Sequence, residues 1–282
     1  MNSFVHFSEH TLHYLRRVQA LIDRLQPEGT PQALVVPGSP EPRGTVIVFT
    51  GSFNPPTLAH LAMLKQARHY ARQHEAVHVY AAMSKRTVDK ESVERPLLLD
   101  RVLLLQKLLH KHIPHSGIML FNRGLYVEQA EAIRRSFAGV KRIYFLIGFD
   151  KIVQILDPHY YEDRDAALHD LFRLAELLVA PRGKDGEKEL EDLIQQDQNK
   201  QFERYIHPLP LNSTYRDISS TSVRQKAKGY SHEVPQEVRQ FMRTTRAYDP
   251  PLQYADGGEI DYYGERIKSL KALLQGNSSS RG

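Results

Sequence analysis

The stretch "TVIVFTGSFNPPTLAHLAML", residues 45–64, decides the fold. Thr45 to Thr50 are all β-branched or aromatic, the composition of a short strand buried on both faces. From Thr57 the chain reads as a helix that continues to His74. Between them, Gly51 lets the backbone approach a neighbour closely, and Pro55 and Pro56 stiffen the turn and place the helix start. Thr57 suits the N-cap and sets His60 at the third helical position. Residues three apart share a helix face. Both side chains therefore look toward the helix start, where free N–H groups and the positive end of the dipole favour a phosphate. A plain strand–turn–helix connection with a capping Thr and an incidental His satisfies the same spacing.

Outward from this unit, strands and helices alternate. Strand-like runs occupy 45–51, 76–83, 117–122, 141–148, 176–183 and 204–211, and helical patterns fill 57–74, 95–112, 126–137, 166–174 and 187–202. Two more helices are expected at about 220–228 and 235–244. Such alternation predicts an α/β fold, a Rossmann-like doubly wound parallel sheet with flanking helices. Before it, residues 1–43 divide into an amphipathic helix over 8–26 and a Pro/Gly-rich linker or overlying loop. Leu12, Leu15, Val18, Ile22 and Leu25 form the apolar face of that helix. The C-terminal tail, 249–282, carries one possible helix at 260–274 and ends in a segment of disordered composition.

Ligands of open parallel sheets bind beyond the carboxyl ends of the strands. The residues there are Gly51, Ser52, Phe53, Asn54 and Thr57, then Ser84, Lys85 and Arg86, then Arg123, then Gly148 and Asp150, then Arg182. Past the last strand comes "ISSTSVRQKAKG", residues 218–229. One hydroxyl suffices to cap the short helix there, yet Ser219, Ser220, Thr221 and Ser222 all precede or open it. Arg224, near its first turn, opposes the helix dipole unless an anion reverses the penalty. Cations, small hydrogen-bonding residues and one carboxylate on a single rim suit a polyphosphate joined to a ribose.

The bulk composition narrows the rest. A chain of 282 residues with 41% hydrophobic content has ample material for a core. It has no cysteine, which excludes disulfides and thiolate chemistry. The most apolar stretch, "PLLLDRVLLLQKLL", is interrupted by Asp100, Arg101, Gln106 and Lys107, and so reads as core rather than a membrane span. The N-terminus lacks the features of a secretory signal, so a cytoplasmic or nuclear protein is expected, with no membrane partner. A net charge of +5 favours an anionic partner. Motifs of RNA readers are missing, which disfavours nucleic acid. Neither a P-loop nor a dinucleotide fingerprint occurs. His110, His112 and His115 lack Cys or carboxylate company and read as a solvated helix end rather than a zinc site.

"GSFNPPTLAH" together with "ISSTSVR" resembles the nucleotidylyltransferase superfamily, whose first motif ends in His-x-x-His or Thr-x-x-His and whose second is a Ser/Thr-rich segment closing in Arg. The nicotinamide/nicotinate mononucleotide adenylyltransferases are the most similar, through "FLIGFD" and "EVPQEVRQFMRTTRAY" as well; the motifs span about 44–248. "NRGLYVEQAEAI" and "SKRTVDK" depart from the standard segments and are similar to a divergent fungal-type branch. The family often stacks a Trp on the nicotinamide ring; this chain has no Trp and offers Tyr160 and Tyr161.

The resemblance implies transfer of an adenylyl group from ATP to nicotinamide or nicotinate mononucleotide, with pyrophosphate released and NAD or its relative formed. It implies that His60 donates to the α-phosphate, and that Thr57 with the backbone of Gly51, Ser52 and Phe53 holds phosphate oxygens. Ser220, Thr221 and Arg224 would hold the β- and γ-phosphates, and Gly148 and Asp150 would meet the ribose. Lys85, Arg123, Tyr161 and Arg182 would serve the acceptor. Mg²⁺ would arrive with ATP, held mainly by nucleotide oxygens and water rather than by a protein site. Other acceptors, of the cytidylyltransferase or pantetheine-phosphate type, and a non-catalytic nucleotide-binding module are the alternatives.

Overall fold

The computed structural model describes residues 7–74, 76–85, 95–181, 186–225, 232–253 and 258–275. The chain begins with helix α1 (Glu9–Arg24), strands β1 (Ala33–Val35) and β2 (Gly44–Thr50), and helix α2 (Leu58–Gln73). β3 (Ala76–Ser84), α3 (Leu98–His112), β4 (Gly117–Phe121) and α4 (Tyr126–Ser136) follow. Next come β5 (Val140–Gly148), α5 (Phe149–Leu156), α6 (Arg164–Leu174), β6 (Glu176–Ala180), α7 (Gly186–Ile194) and β7 (Ile206–Pro208). Helices α8 (Ser220–Gln225) and α9 (Gln236–Thr245), the two-residue strands β8 (Leu252–Gln253) and β9 (Glu259–Ile260), and α10 (Tyr262–Gln275) complete it.

β2 is the centre of the molecule. Val46, Ile47 and Val48 are fully buried, which requires cover on both faces and a neighbour on each edge. β2 pairs in parallel with β3 on one side and β5 on the other. The seven-stranded sheet runs β1-β4-β3-β2-β5-β6-β7, all parallel except β1 on the edge. The fold is thus Rossmann-like and doubly wound, and the connections reverse direction between β2 and β5. That switch point opens a crevice at the carboxyl ends of these two strands.

Each face of the sheet has its own core. On one, α1, α2 and α3 deliver Leu15, Val18, Leu64, Val102 and Leu105. On the other, α4, α5, α6 and α7 deliver Ile133, Ile152, Phe172 and Leu190. Each such side chain contributes about 1.5–3 kcal/mol when fully buried. A smaller cluster, with Leu104, Leu108, Val223 and Val238, joins α3 to α8 and α9.

Four elements differ from the sequence expectation. The segment expected as a linker supplies β1, antiparallel to β4. Asn122, just past β4, pins it: its side-chain amide donates to Gln26 O and Thr30 O and its carbonyl accepts from Gln32 N, all at 2.8–2.9 Å. α5 starts directly from β5 with Gly148 as its N-cap, where no helix was expected. The helix expected over 187–202 stops at Ile194, and a 3₁₀ turn over Lys200–Tyr205 leads into a last strand of three residues. α1 and α10 pack together and onto the body. The Tyr263 hydroxyl donates to Asp100 Oδ2 at 2.7 Å and accepts from Leu97 N at 2.8 Å. Among the described residues no helix is long and apolar enough to cross a membrane.

Candidate active site

A cleft of about 590 Å³ lies at the switch point. Gly51, Ser52 and His60 line it from the β2–α2 side, Gly148 and Asp150 from the β5–α5 side, and Ser220, Thr221 and Arg224 from α8. Segments far apart in sequence are brought to one cavity, with His60 and Arg224 sharing its wall.

The loop after β2 is held from several directions. Ser52 O accepts from Arg101 Nη1 at 2.8 Å. Asn54 Oδ1 accepts from the Tyr248 hydroxyl at 2.8 Å, and the Asn54 side chain donates to Arg95 O at 3.3 Å. Asn54 O accepts from Arg224 Nη1, and Pro55 O from Ser220 Oγ at 2.8 Å. The Asn54–Pro55 peptide is cis. Phe53 sits at φ 45°, the left-handed region, which costs a residue with a side chain about 1 kcal/mol or more. Its ring is fully buried, 5.4 Å from Phe49 and 5.1 Å from His60, and that burial offsets the strain.

His60 is oriented by its own helix start. Thr57 N donates to His60 Nδ1 at 3.0 Å, and Thr57 Oγ1 lies 2.7 Å from the same nitrogen. A backbone N–H can only donate, so Nδ1 carries the lone pair and the neutral ring bears its proton on Nε2. The tautomer follows from this reciprocal capping box, with His in the position that Glu or Gln usually takes.

The same geometry corrects two expectations. The Thr57 side chain is fully buried and does not line the cleft; it stands behind His60 rather than against a phosphate. Two of the first three N–H groups of α2 are also engaged: Leu58 N donates to Glu233 O at 2.8 Å and His60 N to Thr57 Oγ1 at 3.4 Å.

On α8, Ser219 and Ser222 cap one another through Ser222 N to Ser219 Oγ at 3.0 Å and Ser219 N to Ser222 Oγ at 3.3 Å. That explains two hydroxyls structurally. Thr221 Oγ1 accepts from Arg224 Nη2 at 3.3 Å, so the exposed Arg224 fork spans Thr221 and the β2–α2 loop. Gly148 has an ordinary φ of −85°, and a Cβ built there meets nothing within 4 Å. The fold does not demand glycine; the open space belongs to the cleft.

The expected acceptor residues are placed elsewhere. Lys85 Nζ donates to Ile22 O at 2.9 Å, and Arg123 donates to Gly29 O through Nε and Nη2 at 3.2 and 3.0 Å. The Tyr161 hydroxyl donates to Ile155 O at 2.8 Å, and burial raises its pKa. None of the three lines the cleft. Arg182 lies outside the described residues. Two cations that the sequence reading missed do line it, Lys151 and Arg216. Lys151 is the third residue of the unread helix α5. Arg216 sits three residues before the Ser-Ser-Thr run, its guanidinium donating to Leu211 O at 2.8 Å and Glu187 Oε1 at 2.9 Å. Asp150 is the one carboxylate among the described lining residues.

The model of the cytidylyltransferase-like family matches residues 48–226, more than half of the chain and every segment of the cleft. A proposed nicotinamide mononucleotide adenylyltransferase of Schizosaccharomyces pombe is 24% identical over 223 residues, 72% of this chain and 86% of that protein. The structure of a nicotinic acid mononucleotide adenylyltransferase of Plasmodium falciparum, in complex with APC, superposes with a TM-score of 0.51 at 15% identity, over 73% of this chain and 97% of that one. At that identity the superposition speaks for the fold.

Proposed function

The chain belongs to the cytidylyltransferase-like family, and from that premise we propose that it transfers an adenylyl group from ATP to nicotinamide or nicotinate mononucleotide and releases pyrophosphate. Membership makes the protein a nucleotidyltransferase-type enzyme. The choice of nucleotide and acceptor rests on the names of its relatives, a nicotinamide and a nicotinic acid mononucleotide adenylyltransferase, and on the donors that meet in the cleft.

One observation carries the reading. An imidazole with Nδ1 tied back to Thr57, and hence its proton on Nε2, shares a cavity with the Arg224 guanidinium and with an open-floored glycine. In the reaction, a phosphate oxygen of the acceptor attacks the α-phosphorus of ATP. The bond from that phosphorus to the bridging oxygen breaks, and pyrophosphate leaves with the electron pair. His60 donates from Nε2 to an α-phosphate oxygen as charge builds there. Arg224 and Thr221 hold the β- and γ-phosphates, and Ser220 and Thr57 position rather than bind. Gly148 and Asp150 receive the nucleoside, and Lys151 and Arg216 take the roles expected of Lys85 and Arg123 toward anionic groups. A donor set with one carboxylate and no cluster of three acidic or imidazole groups among the described residues suits Mg²⁺ carried by phosphate oxygens and water.

The test is pyrophosphate release by the purified full chain, with ATP and CTP against a panel of phosphorylated acceptors. ATP with a pyridine mononucleotide is the expected active pair. Substituting His60→Ala lowers its turnover by about a hundredfold or more, on the order of 3 kcal/mol, as loss of one transition-state donor does. Unchanged turnover in that variant removes His60 from the chemistry.

A further inference from the structure

The apolar helix α3 carries two adjacent buried charges that the reaction above leaves unused. Asp100 is satisfied on one side of the helix, by the Tyr263 hydroxyl at 2.7 Å and by Arg266 Nη2 at 2.6 Å. Arg101 points elsewhere. It is 8% exposed. Among the described residues its one side-chain hydrogen bond runs from Nη1 to Ser52 O at 2.8 Å, and its Nε is buried without a partner. No carboxylate among the described residues lies within ion-pair distance of it, and burial lowers its pKa.

A buried cation with neither a counter-ion nor a full set of acceptors is costly. Methionine fills a similar volume without that cost, so packing alone does not account for a guanidinium here. The site it touches is informative. Ser52 O is the carbonyl immediately before Phe53, which is held at φ 45°. On the far side of Phe53, Tyr248 holds the Asn54 side chain at 2.8 Å. Phe53 lies in the chain between these two anchored residues, and its ring rests 5.1 Å from the His60 ring. Arg101 and Tyr248 thus fix the strained residue that backs the imidazole.

We infer that Arg101 is a positioning residue of the cleft: by holding the Ser52 carbonyl it locks Phe53 in its left-handed conformation and so aims the His60 ring. This rests on the nucleotidyl-transfer reading and assigns Arg101 no contact with substrate. Its loss therefore affects the chemical step more than ATP binding, because a small misalignment of a transition-state donor is expensive in rate.

The experiment compares wild type, Arg101→Met and Arg101→Lys for melting temperature and for kcat and KM toward ATP in pyrophosphate release. Arg101→Met is expected to melt no lower than wild type, since it removes a buried charge, and to lose about tenfold or more in kcat with KM changed less than about threefold. Arg101→Lys regains most of the lost kcat, because an ammonium can still donate to Ser52 O. Wild-type kcat in a folded Arg101→Met, a Lys variant no better than the Met variant, or a kcat loss that only tracks a lower melting temperature overturns the inference. Absence of pyrophosphate release from the wild type defeats the reaction itself, and the inference with it. An active wild type beside an equally active Arg101→Met defeats the inference alone.

Discussion

Replacing Gly148 separates the needs of the fold from those of the cleft. Gly148 lines the cavity, its φ of −85° is open to any L-residue, and a Cβ at that position has no heavy atom within 4 Å. On the folding side, Gly→Ala at an unstrained position gains about 0.4–1 kcal/mol by narrowing the unfolded ensemble, and the weaker N-cap that Ala makes for α5 offsets a similar amount. On the binding side, the added methyl occupies space assigned to the nucleoside, and overpacking of that kind costs about 1–3 kcal/mol. At about 1.4 kcal/mol per tenfold, this weakens ATP binding by roughly 5- to 150-fold, with Gly148→Val at the upper end. Calorimetric melting of the ligand-free protein and the KM for ATP provide the two readouts. A little-changed melting temperature with a raised KM is the expected pair. A Val variant that binds ATP as tightly as wild type refutes the placement of the nucleoside at the β5 end, and an Ala variant that melts several degrees lower refutes the claim that the fold tolerates a side chain there.

Further outcomes follow from groups away from the cleft. Asp100→Ala leaves Arg266, its side chain 13% exposed, without its carboxylate, and the loss is about 3–5 kcal/mol in urea unfolding. Tyr263→Phe, which removes one neutral partner of the same carboxylate, costs less, about 1–3 kcal/mol. Glu176 bridges Arg142, at 2.7 and 2.9 Å, and His207, at 2.6 Å. Burial alone would raise its carboxyl, but Arg142 and His207 outweigh it and hold the pKa below the ordinary 4.5. A depressed carboxyl contributes stability above the unfolded-state value and loses it as pH falls through the folded one. Wild type is therefore more stable than Glu176→Gln near neutral pH, and the gap narrows once pH drops below 4.5. A gap that persists or widens in acid, in denaturant titrations at each pH, contradicts the assignment.

The central β2–α2 unit was legible because its signals are local. Val46, Ile47 and Val48 can be buried only in a sheet interior, and Thr57 caps α2 as its spacing requires. From that unit and the later strands, the α/β class and the shared cavity of His60, Asp150 and Arg224 followed. What was not legible depended on which strand ends remain open. Lys85 and Arg123 do follow strands, but α1 and the segment after it pass over the ends of β3 and β4, and Ile22 O and Gly29 O take up both cations. Among the described residues, the carboxyl ends of β2, β5 and β6 line the cleft. α5 escaped notice because Gly148 serves at once as the end of β5 and as a helix cap. That omission hid Lys151. In sequence Arg101 only interrupts an apolar run, since its partner, the carbonyl of Ser52, lies 49 positions away.

The proposed reaction requires that His60 and Arg224 act on one triphosphate. A crystal structure of the full chain with Mg²⁺ and a non-hydrolysable ATP analogue tests it most directly. An α-phosphate oxygen is expected within about 3 Å of His60 Nε2, and a β- or γ-phosphate oxygen within the same reach of the Arg224 guanidinium. A triphosphate bound with its α-phosphate away from the imidazole, or lodged outside the β2–β5 crevice, contradicts it.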